Sequence, residues 1–158
     1  MEKLSKAARK VQDTLHELGY DNKVKELPES TRTAKEAAEA ISCDIAQIAK
    51  SIVFKLKKTE KPVLVIASGI NRINEKEIEK YINDQLGKAD ASFVRDHTGY
   101  VIGGVPPLGH HHRIDTFIDE DLFQFEDIWA AAGHPKAVFK LSPEQLKNMT
   151  DGQVISIK

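Results

Sequence analysis

The stretch SIVFKLKKTEKPVLVIA, residues 51–67, determines what kind of sheet this chain can form. Its first half alternates: Ile52, Phe54 and Leu56 face one way and the residues between them the other, which predicts a half-buried strand. The second half, PVLVIA, is a continuous apolar run and predicts a strand that is covered on both faces. The polar segment KKTEK joins the two strands as a hairpin.

Amphipathic spacing predicts a first helix from about Ser5 to Leu18, and Gly19 is expected to end it. The apolar stripe of this helix consists of Leu4, Ala8, Val11, Leu15 and Leu18. A short extended segment follows at about residues 23–27.

Capping boxes predict where further helices begin, because a polar residue followed three positions later by Glu or Gln satisfies amides of the first turn. Such pairs begin at Thr33, Asp44, Asn74 and Ser142. The helix after Thr33 is predicted to end at about Ile41, the short helix after Asp44 near Lys50, and the helix after Asn74 at Gly87.

Short apolar segments between turns predict the remaining strands. They are ASFV (91–94), TFI (116–118), IWAAA (128–132), AVFKL (137–141) and, after the last helix, VISI (154–157). These strands are too clustered for a regular βαβ alternation. We therefore expect an α+β fold in one domain over residues 1–158, with a mixed sheet, curled or closed, and helices packed outside it.

Composition excludes several classes of protein. The formal net charge of −1 argues against a protein that coats nucleic acid by charge alone, and we interpret the lysines of KSIVFKLKKTEK as solvated residues flanking a hairpin. No apolar run reaches the ~20 residues of a membrane span, and the charged N-terminal segment lacks the apolar core of a signal peptide. The single cysteine, Cys43, excludes an internal disulfide, so we expect a cytosolic protein.

The segment GYVIGGVPPLGHHHRID, residues 99–115, has too many glycines and prolines for a helix or a strand. Gly103 and Gly104 let a ligand approach backbone N–H groups, while Pro106 and Pro107 stiffen the loop. Such a loop can stabilise an oxyanion through its amides. Chemistry alone favours the alternative, a tight structural turn.

Other reactive side chains carry less information. The three histidines 110–112 cannot all face one metal from a strand, so we expect no metal site and one useful histidine in a loop. Cys43 is interpreted as a buried, inert thiol. Lys50, where a short helix is predicted to give way to a strand, would by itself be an ordinary surface lysine.

Two stretches together resemble the YbaK-type aminoacyl-tRNA deacylases, free-standing relatives of the editing domain inserted in bacterial prolyl-tRNA synthetases. They are STRTAKEAAEAISCDIAQIAKSIVFK (30–55) and TGYVIGGVPPLGH (98–110), and the similarity continues through FIDEDLFQFEDIWAAAGHPKAVFKLSPEQL (117–146). The resemblance implies a barrel-like mixed sheet surrounded by helices. The implied activity is hydrolysis of the ester that joins a wrong amino acid to the 3′ end of a tRNA.

The resemblance also implies site residues. Lys50 matches the family's functional lysine, and Gly103, Gly104 and Pro107 match the loop that holds the aminoacyl end. The substrate-binding candidates are Ser30, Thr31, Pro107, His110, Asp119 and Gly133. Val138 stands where some members carry an aspartate, so their amino-acid preference is not transferred to this chain.

In the expected mechanism, amides around Gly103 and Gly104 stabilise the oxyanion, and Lys50 anchors a terminal phosphate. We expect a monomer without a cofactor or a membrane contact, with mischarged tRNA as its partner and an aminoacyl-tRNA synthetase as a further candidate. Two alternatives stay open: a non-catalytic module that binds a tRNA end or a synthetase, and a metal-dependent hydrolase that uses the histidine run.

Overall fold

The structure, a computed structural model, describes residues 4–31 and 33–158, and the predicted hairpin lies in the middle of its sheet. The strands are β1 (Val24–Glu26), β2 (Ile48–Leu56), β3 (Pro62–Ser68), β4 (Leu86–Lys88), β5 (Asp115–Asp119), β6 (Ile128–Ala131), β7 (Ala137–Leu141) and β8 (Gln153–Ile155). Their order across the sheet is β1-β7-β6-β2-β3-β5-β8, with β4 also paired to β2.

Both parallel and antiparallel pairs occur, so the predicted mixed sheet is confirmed. β2 runs antiparallel to β3 and β4, whereas β2 and β6, β3 and β5, and β5 and β8 are parallel. β7 lies antiparallel between β1 and β6. Ala49 of β2 lies opposite Ala130 of β6. Because these two strands are parallel, the residues that follow, Lys50 and Ala131, lie at the same end of the strand pair.

The strand PVLVIA is covered on both faces, as predicted. Leu64 and Ile66 belong to one apolar cluster, and Val63, Val65 and Ala67 to a second, and all five are at most 1 % exposed. The first cluster also receives side chains from β1, β2, β5, β6 and β7. One core filled from six strands requires the sheet to curl around it, in agreement with the predicted barrel-like form.

Five α-helices pack around the sheet in the described part of the chain: α1 (Lys6–Glu17), α2 (Ala34–Ile41), α3 (Glu75–Glu79), α4 (Ala91–Thr98) and α5 (Pro143–Thr150). The predicted caps form at three of them, because Thr33, Asn74 and Ser142 each accept a hydrogen bond from a first-turn amide. α1, α4 and α5 cover the first cluster, and α3 the second. In residues 4–31 and 33–158, no helix has the length and apolar character needed to cross a membrane.

Two predictions of secondary structure away from Lys50 were wrong. ASFV, predicted as a strand, is the first half of α4, because the Asp90 side chain accepts a hydrogen bond from the Phe93 amide and starts a helix there. The helix after Asn74 ends at Glu79 and does not continue to Gly87. The chain leaves it so that Leu86–Lys88 can pair with β2, a long-range contact that helical spacing does not reveal.

The environment of Lys50 also differs from the prediction. The segment after Asp44 forms only one 3₁₀ turn, Ile45–Gln47, instead of a helix that ends near Lys50. Lys50 therefore lies inside β2, opposite Ala67 of β3. Its position is set by sheet pairing on both sides and not by a helix end.

The end of α2 yields a test of the backbone geometry. Ser42 caps this helix in the left-handed conformation, with φ of 66°. A Cβ is unfavourable there, so Ser42→Gly should raise the free energy of unfolding by about 0.5–1 kcal/mol, measured by urea denaturation. The same substitution at exposed Ser92, inside α4, should lower it by about 0.5 kcal/mol. Equal losses of unfolding free energy for Ser42→Gly and Ser92→Gly would contradict the left-handed cap at Ser42.

Candidate active site

A small pocket opens where α2, β2, β6 and the glycine-proline loop meet. Thr31, Lys50 and Gly103 all line it, so three residues predicted from distant parts of the sequence come together. Much of the remaining wall consists of small side chains: Ala34, Ala37, Ala49, Ala130 and Ala131. The cavity volume is about 60 Å³, room for about four water molecules.

Lys50 reaches this pocket from a rigid strand. Its neighbour Ala49 is 1 % exposed in the core, while Lys50 itself is half-buried. Among the described residues, the Lys50 side chain forms no ion pair or hydrogen bond. Its charge is therefore available to a bound group.

Two residues of the glycine-proline loop line the pocket and have unpaired amides among the described residues, and only one of them is among the two glycines that the sequence suggested. Gly104 donates its amide to the Val101 carbonyl at 3.0 Å, which closes a turn and uses up that donor. The amides of Gly103 and Val105, which both line the pocket, donate to no acceptor within residues 4–31 and 33–158. The open donors are thus those of Gly103 and Val105, which corrects the expectation for Gly104.

Gly104 and Gly133 have a structural role behind the pocket. The Gly133 amide donates to the Gly104 carbonyl at 2.8 Å, and a Cβ on Gly104 would lie 3.0 Å from the His134 backbone. Gly133 has φ of +91°, and a Cβ there would lie 2.8 Å from the Ala7 carbonyl oxygen. Neither glycine lines the small pocket; each lets two backbone segments approach closely enough to fix the loop.

His110 and Pro107 belong to the glycine-proline segment but do not line the pocket. The His110 Nε2 donates to the Pro106 carbonyl oxygen at 2.7 Å, since a carbonyl can only accept. Burial lowers the pKa of His110, partly opposed by that hydrogen bond. The neutral His110 ring therefore supports the backbone at Pro106. It does not line the pocket, so the structure does not place it as a general base there.

Thr31 belongs to the pocket, whereas Ser30 is its half-buried neighbour and does not line it. Both the amide and the hydroxyl of Thr31 donate to the Pro135 carbonyl at 2.6 Å. This pair of hydrogen bonds ties the segment before α2 to the turn between β6 and β7. The segment therefore closes one side of the pocket.

Asp119 was predicted to bind substrate, but the structure places it elsewhere. It is 0 % exposed, and its carboxylate accepts hydrogen bonds from the Ser68 amide, the Asn71 side chain and the Asp121 amide at 2.8–2.9 Å. These contacts join the end of β3 to the turn after β5. Asp119 thus stabilises the ends of β3 and β5, and it lies outside the pocket.

Cys43 and the histidine run do not join the site either. Cys43 packs beside Ala37 and Ala38, and burial, followed by the charge of Asp44, raises the pKa of its thiol, which disfavours a nucleophilic thiolate. His112 contacts His97 at 3.0 Å, and in the described part of the chain no three potential ligands gather around a metal position.

The pocket has the parts for stabilising an oxyanion, but it has no base of its own. Among residues 4–31 and 33–158, no carboxylate, imidazole or thiol belongs to its lining. Two open amides beside a cation can bind developing negative charge on a carbonyl oxygen. Sequence reasoning missed Val105 as a donor, and only its place next to Gly103–Gly104 could have indicated it.

Ser51 is another residue that the sequence did not reveal. It follows Lys50 in the pocket wall, and its hydroxyl is buried with no hydrogen-bond partner in residues 4–31 and 33–158. A buried unpaired hydroxyl costs stability, so it requires an explanation.

Comparison with known proteins agrees with this geometry. The model of the aminoacyl-tRNA editing domain family matches residues 28–149. YwhH of Bacillus subtilis, a protein without an assigned function, is 28% identical over 134 residues, 85% of each chain. The Enterococcus faecalis protein named “Putative Cys-tRNA(Pro)/Cys-tRNA(Cys) deacylase EbsC” is 27% identical over 79% of this chain and 76% of its own.

A solved structure shows the same fold over its whole length. It is described as a “putative trans-editing enzyme for prolyl tRNA synthetase”, and it is 42% identical with a TM-score of 0.93. The similarity covers 99% of this chain and 99% of that chain.

The unpaired hydroxyl of Ser51 predicts an unusual response to mutation. Ser51→Ala removes a buried donor that has no partner, so the free energy of unfolding should stay unchanged or rise by about 1 kcal/mol in urea denaturation. Thr98→Ala is the matched comparison, because the Thr98 hydroxyl is buried and donates to the Val94 carbonyl at 2.7 Å. Thr98→Ala should lower the free energy of unfolding by about 1–3 kcal/mol. A comparable loss for Ser51→Ala would show that its hydroxyl has a partner.

The structural role of Asp119 predicts a loss of stability. Asp119→Ala leaves three donors without their acceptor, so the free energy of unfolding should fall by about 3–5 kcal/mol. Asp121→Ala, which removes a partly exposed ion pair with Lys158 and a hydrogen bond from Asn71, should lose less, about 1–2 kcal/mol. An Asp119→Ala protein that keeps its stability but has a higher KM for the substrate would instead support the substrate-binding role.

Proposed function

This chain belongs to the aminoacyl-tRNA editing domain family, and from that membership we propose that it is a trans-editing deacylase. It hydrolyses the ester of a mischarged aminoacyl-tRNA and releases the free amino acid and the tRNA. The observation that carries the proposal is that Lys50 and the unpaired amides of Gly103 and Val105 line one small pocket.

The proposed reaction needs no covalent enzyme intermediate, because an aminoacyl ester is already activated. Water adds to the ester carbonyl, and the amides of Gly103 and Val105 donate to the resulting oxyanion. The carbon–oxygen bond to the ribose then breaks, and the ribose oxygen takes up a proton. Since no carboxylate or imidazole from the described part of the chain lines the pocket, we assign water activation to the substrate's own amine or hydroxyl groups.

We propose a different role for Lys50 from the phosphate anchor that the sequence favoured. It lies half-buried within the small pocket, between Ala49 and Ser51, and not at an exposed rim. We therefore assign its ammonium group to the negative charge that develops at the ester. A cation that contacts an oxyanion away from water acts more strongly than one on the surface.

The size of the pocket supports a small amino acid as substrate. A cavity of about 60 Å³ with alanine walls excludes large side chains by steric clash, whereas alanine, serine, threonine and cysteine fit. The names of two relatives refer to Cys-tRNA(Pro) and to prolyl-tRNA synthetase. We therefore propose a mischarged tRNA(Pro) in the cytoplasm as the first substrate to test, with the protein acting as a monomer and the synthetase as a candidate partner.

Lys50→Ala tests the catalytic proposal. With a panel of mischarged tRNAs that carry labelled amino acids, the wild type should release small amino acids, and Lys50→Ala should lower kcat by about 10²–10³-fold. Lys147→Ala, which removes an exposed lysine of α5 outside the pocket, should keep the wild-type rate. Release that is no faster with wild-type protein than without it would reduce the function to tRNA binding. Full activity after addition of a chelator would exclude the metal-dependent alternative.

A further inference from the structure

Three hydroxyls from the described residues line the small pocket, and two of them already have partners. The Thr31 hydroxyl donates to the Pro135 carbonyl at 2.6 Å. The Thr33 hydroxyl caps α2, accepting from the Glu36 amide and donating to the Glu36 carboxylate, each at 3.1 Å. The Ser51 oxygen is buried and has no hydrogen-bond partner in residues 4–31 and 33–158. Of these three hydroxyls, that of Ser51 is therefore the one left for a bound molecule.

Ser51 lies on the side of β2 that is next to the glycine-proline loop. Side chains alternate along a strand, so Ser51 shares a face with Ala49 and Val53. Both belong to the apolar cluster that also contains Val105 of the loop. Ser51 lines the pocket together with Gly103 and Val105. A single torsion, χ1, sets the direction of a serine hydroxyl, so the group can turn toward a ligand that enters the pocket.

Covalent structure brings the side chain of the substrate close to this hydroxyl. With the ester carbonyl at the amides of Gly103 and Val105, the Cα and the side chain attached to it enter the small pocket. A seryl or threonyl ester carries its hydroxyl on the carbon next to Cα, so that hydroxyl stays near the carbonyl and near the loop. The alanine side chains of the wall have no polar atom to offer it.

We propose that Ser51 determines the specificity of the pocket by pairing with the side-chain hydroxyl of the substrate, so that serine and threonine esters are preferred over the alanine ester. The inference rests on the proposed function and goes beyond it, since size alone admits all three amino acids.

The physical basis is the satisfaction of two hydroxyls at once. A seryl ester gives the Ser51 hydroxyl a partner and finds one itself, whereas an alanyl ester leaves the Ser51 hydroxyl buried and unpaired. A site that hydrogen-bonds a substrate hydroxyl rejects the analogue without it more strongly than a size limit rejects a smaller side chain. Selection by Ser51 therefore adds what the alanine walls cannot supply.

The same proposal explains why the free protein keeps an unpaired buried hydroxyl. Such a group costs stability, and a cost of this kind is common where activity has been favoured over stability. Because Ser51→Ala removes the unpaired group, the variant should fold at least as well as the wild type. A change in its substrate preference is then separable from a loss of structure.

Kinetics on one tRNA charged with either serine or alanine tests the preference. The wild type should have a kcat/KM about 10-fold higher for the seryl ester, and Ser51→Ala should lower that value about 10-fold while leaving the value for the alanyl ester within about 2-fold. Ser51→Thr keeps a hydroxyl and should keep the preference, even where its extra methyl group slows both reactions.

Ser92→Ala is the matched control, because Ser92 is an exposed serine of α4 and does not line the pocket. It should keep the wild-type rates and the wild-type preference. Equal kcat/KM values of the wild type for the two esters, or an equal loss on both esters in Ser51→Ala, would overturn the inference. In either case release of the amino acids would continue and the proposed function would stand.

Binding separates the inference from hydrolysis. The probes are 3′-amino-3′-deoxyadenosine carrying serine or alanine through an amide, which resists the hydrolysis that cleaves the ester, and the measurement is calorimetry with the full-length protein. The wild type should bind the seryl compound about 10-fold more tightly, and Ser51→Ala should bind both equally. If this holds while no mischarged tRNA loses its amino acid, the role of Ser51 is supported and the proposed function fails. Equal affinities in the wild type would overturn the inference.

Discussion

The hydrogen bond from the Gly133 amide to the Gly104 carbonyl, 2.8 Å long, holds the glycine-proline loop against the turn between β6 and β7. The missing side chain at Gly104 favours this contact, because a Cβ there would lie only 3.0–3.1 Å from the backbone of Gly133 and His134, whereas a Cβ on Gly133 would meet the Ala7 carbonyl oxygen of α1. Within the loop, Gly104 is tied to Val101 and His110 braces Pro106. Gly103 and Val105 line the pocket, and their amides have no acceptor among the described residues.

The sheet places the cation beside those donors. β2 is paired on both sides, so the register of Lys50 is determined by its antiparallel partner β3 and by the parallel contact with β6. A slip of one residue would move Ala49 out of the core and Lys50 into it, which makes the register strongly specified. A rigid strand and a braced loop thus give a preorganised site, the arrangement in which dipoles and charges stabilise a transition state most effectively.

In the proposed mechanism, the site separates the recognition of amino-acid size from the chemistry. Alanines make the pocket small, while the backbone and one lysine supply the positive potential, and no carboxylate or imidazole of the described residues is part of the lining. Such an arrangement suits a substrate that is already activated. It also explains why the reactive-looking residues of the sequence, Asp119, Cys43 and the histidine run, lie elsewhere and serve the fold or the surface.

Local patterns in the sequence were enough to predict the hairpin, the caps of α2, α3 and α5 and the mixed sheet, whereas the association of Lys50 with the glycine loop was implied by the family resemblance. Alternation, apolar runs and capping residues act over a few positions, so they can be recognised without knowledge of the fold. The tertiary structure alone decided that Leu86–Lys88 pairs with β2, that Asp119 is enclosed, and that Val105 rather than Gly104 has an open amide. The physical reason is that a hydrogen-bond donor is available or occupied according to which distant segment lies next to it, and neither composition nor spacing records that neighbour.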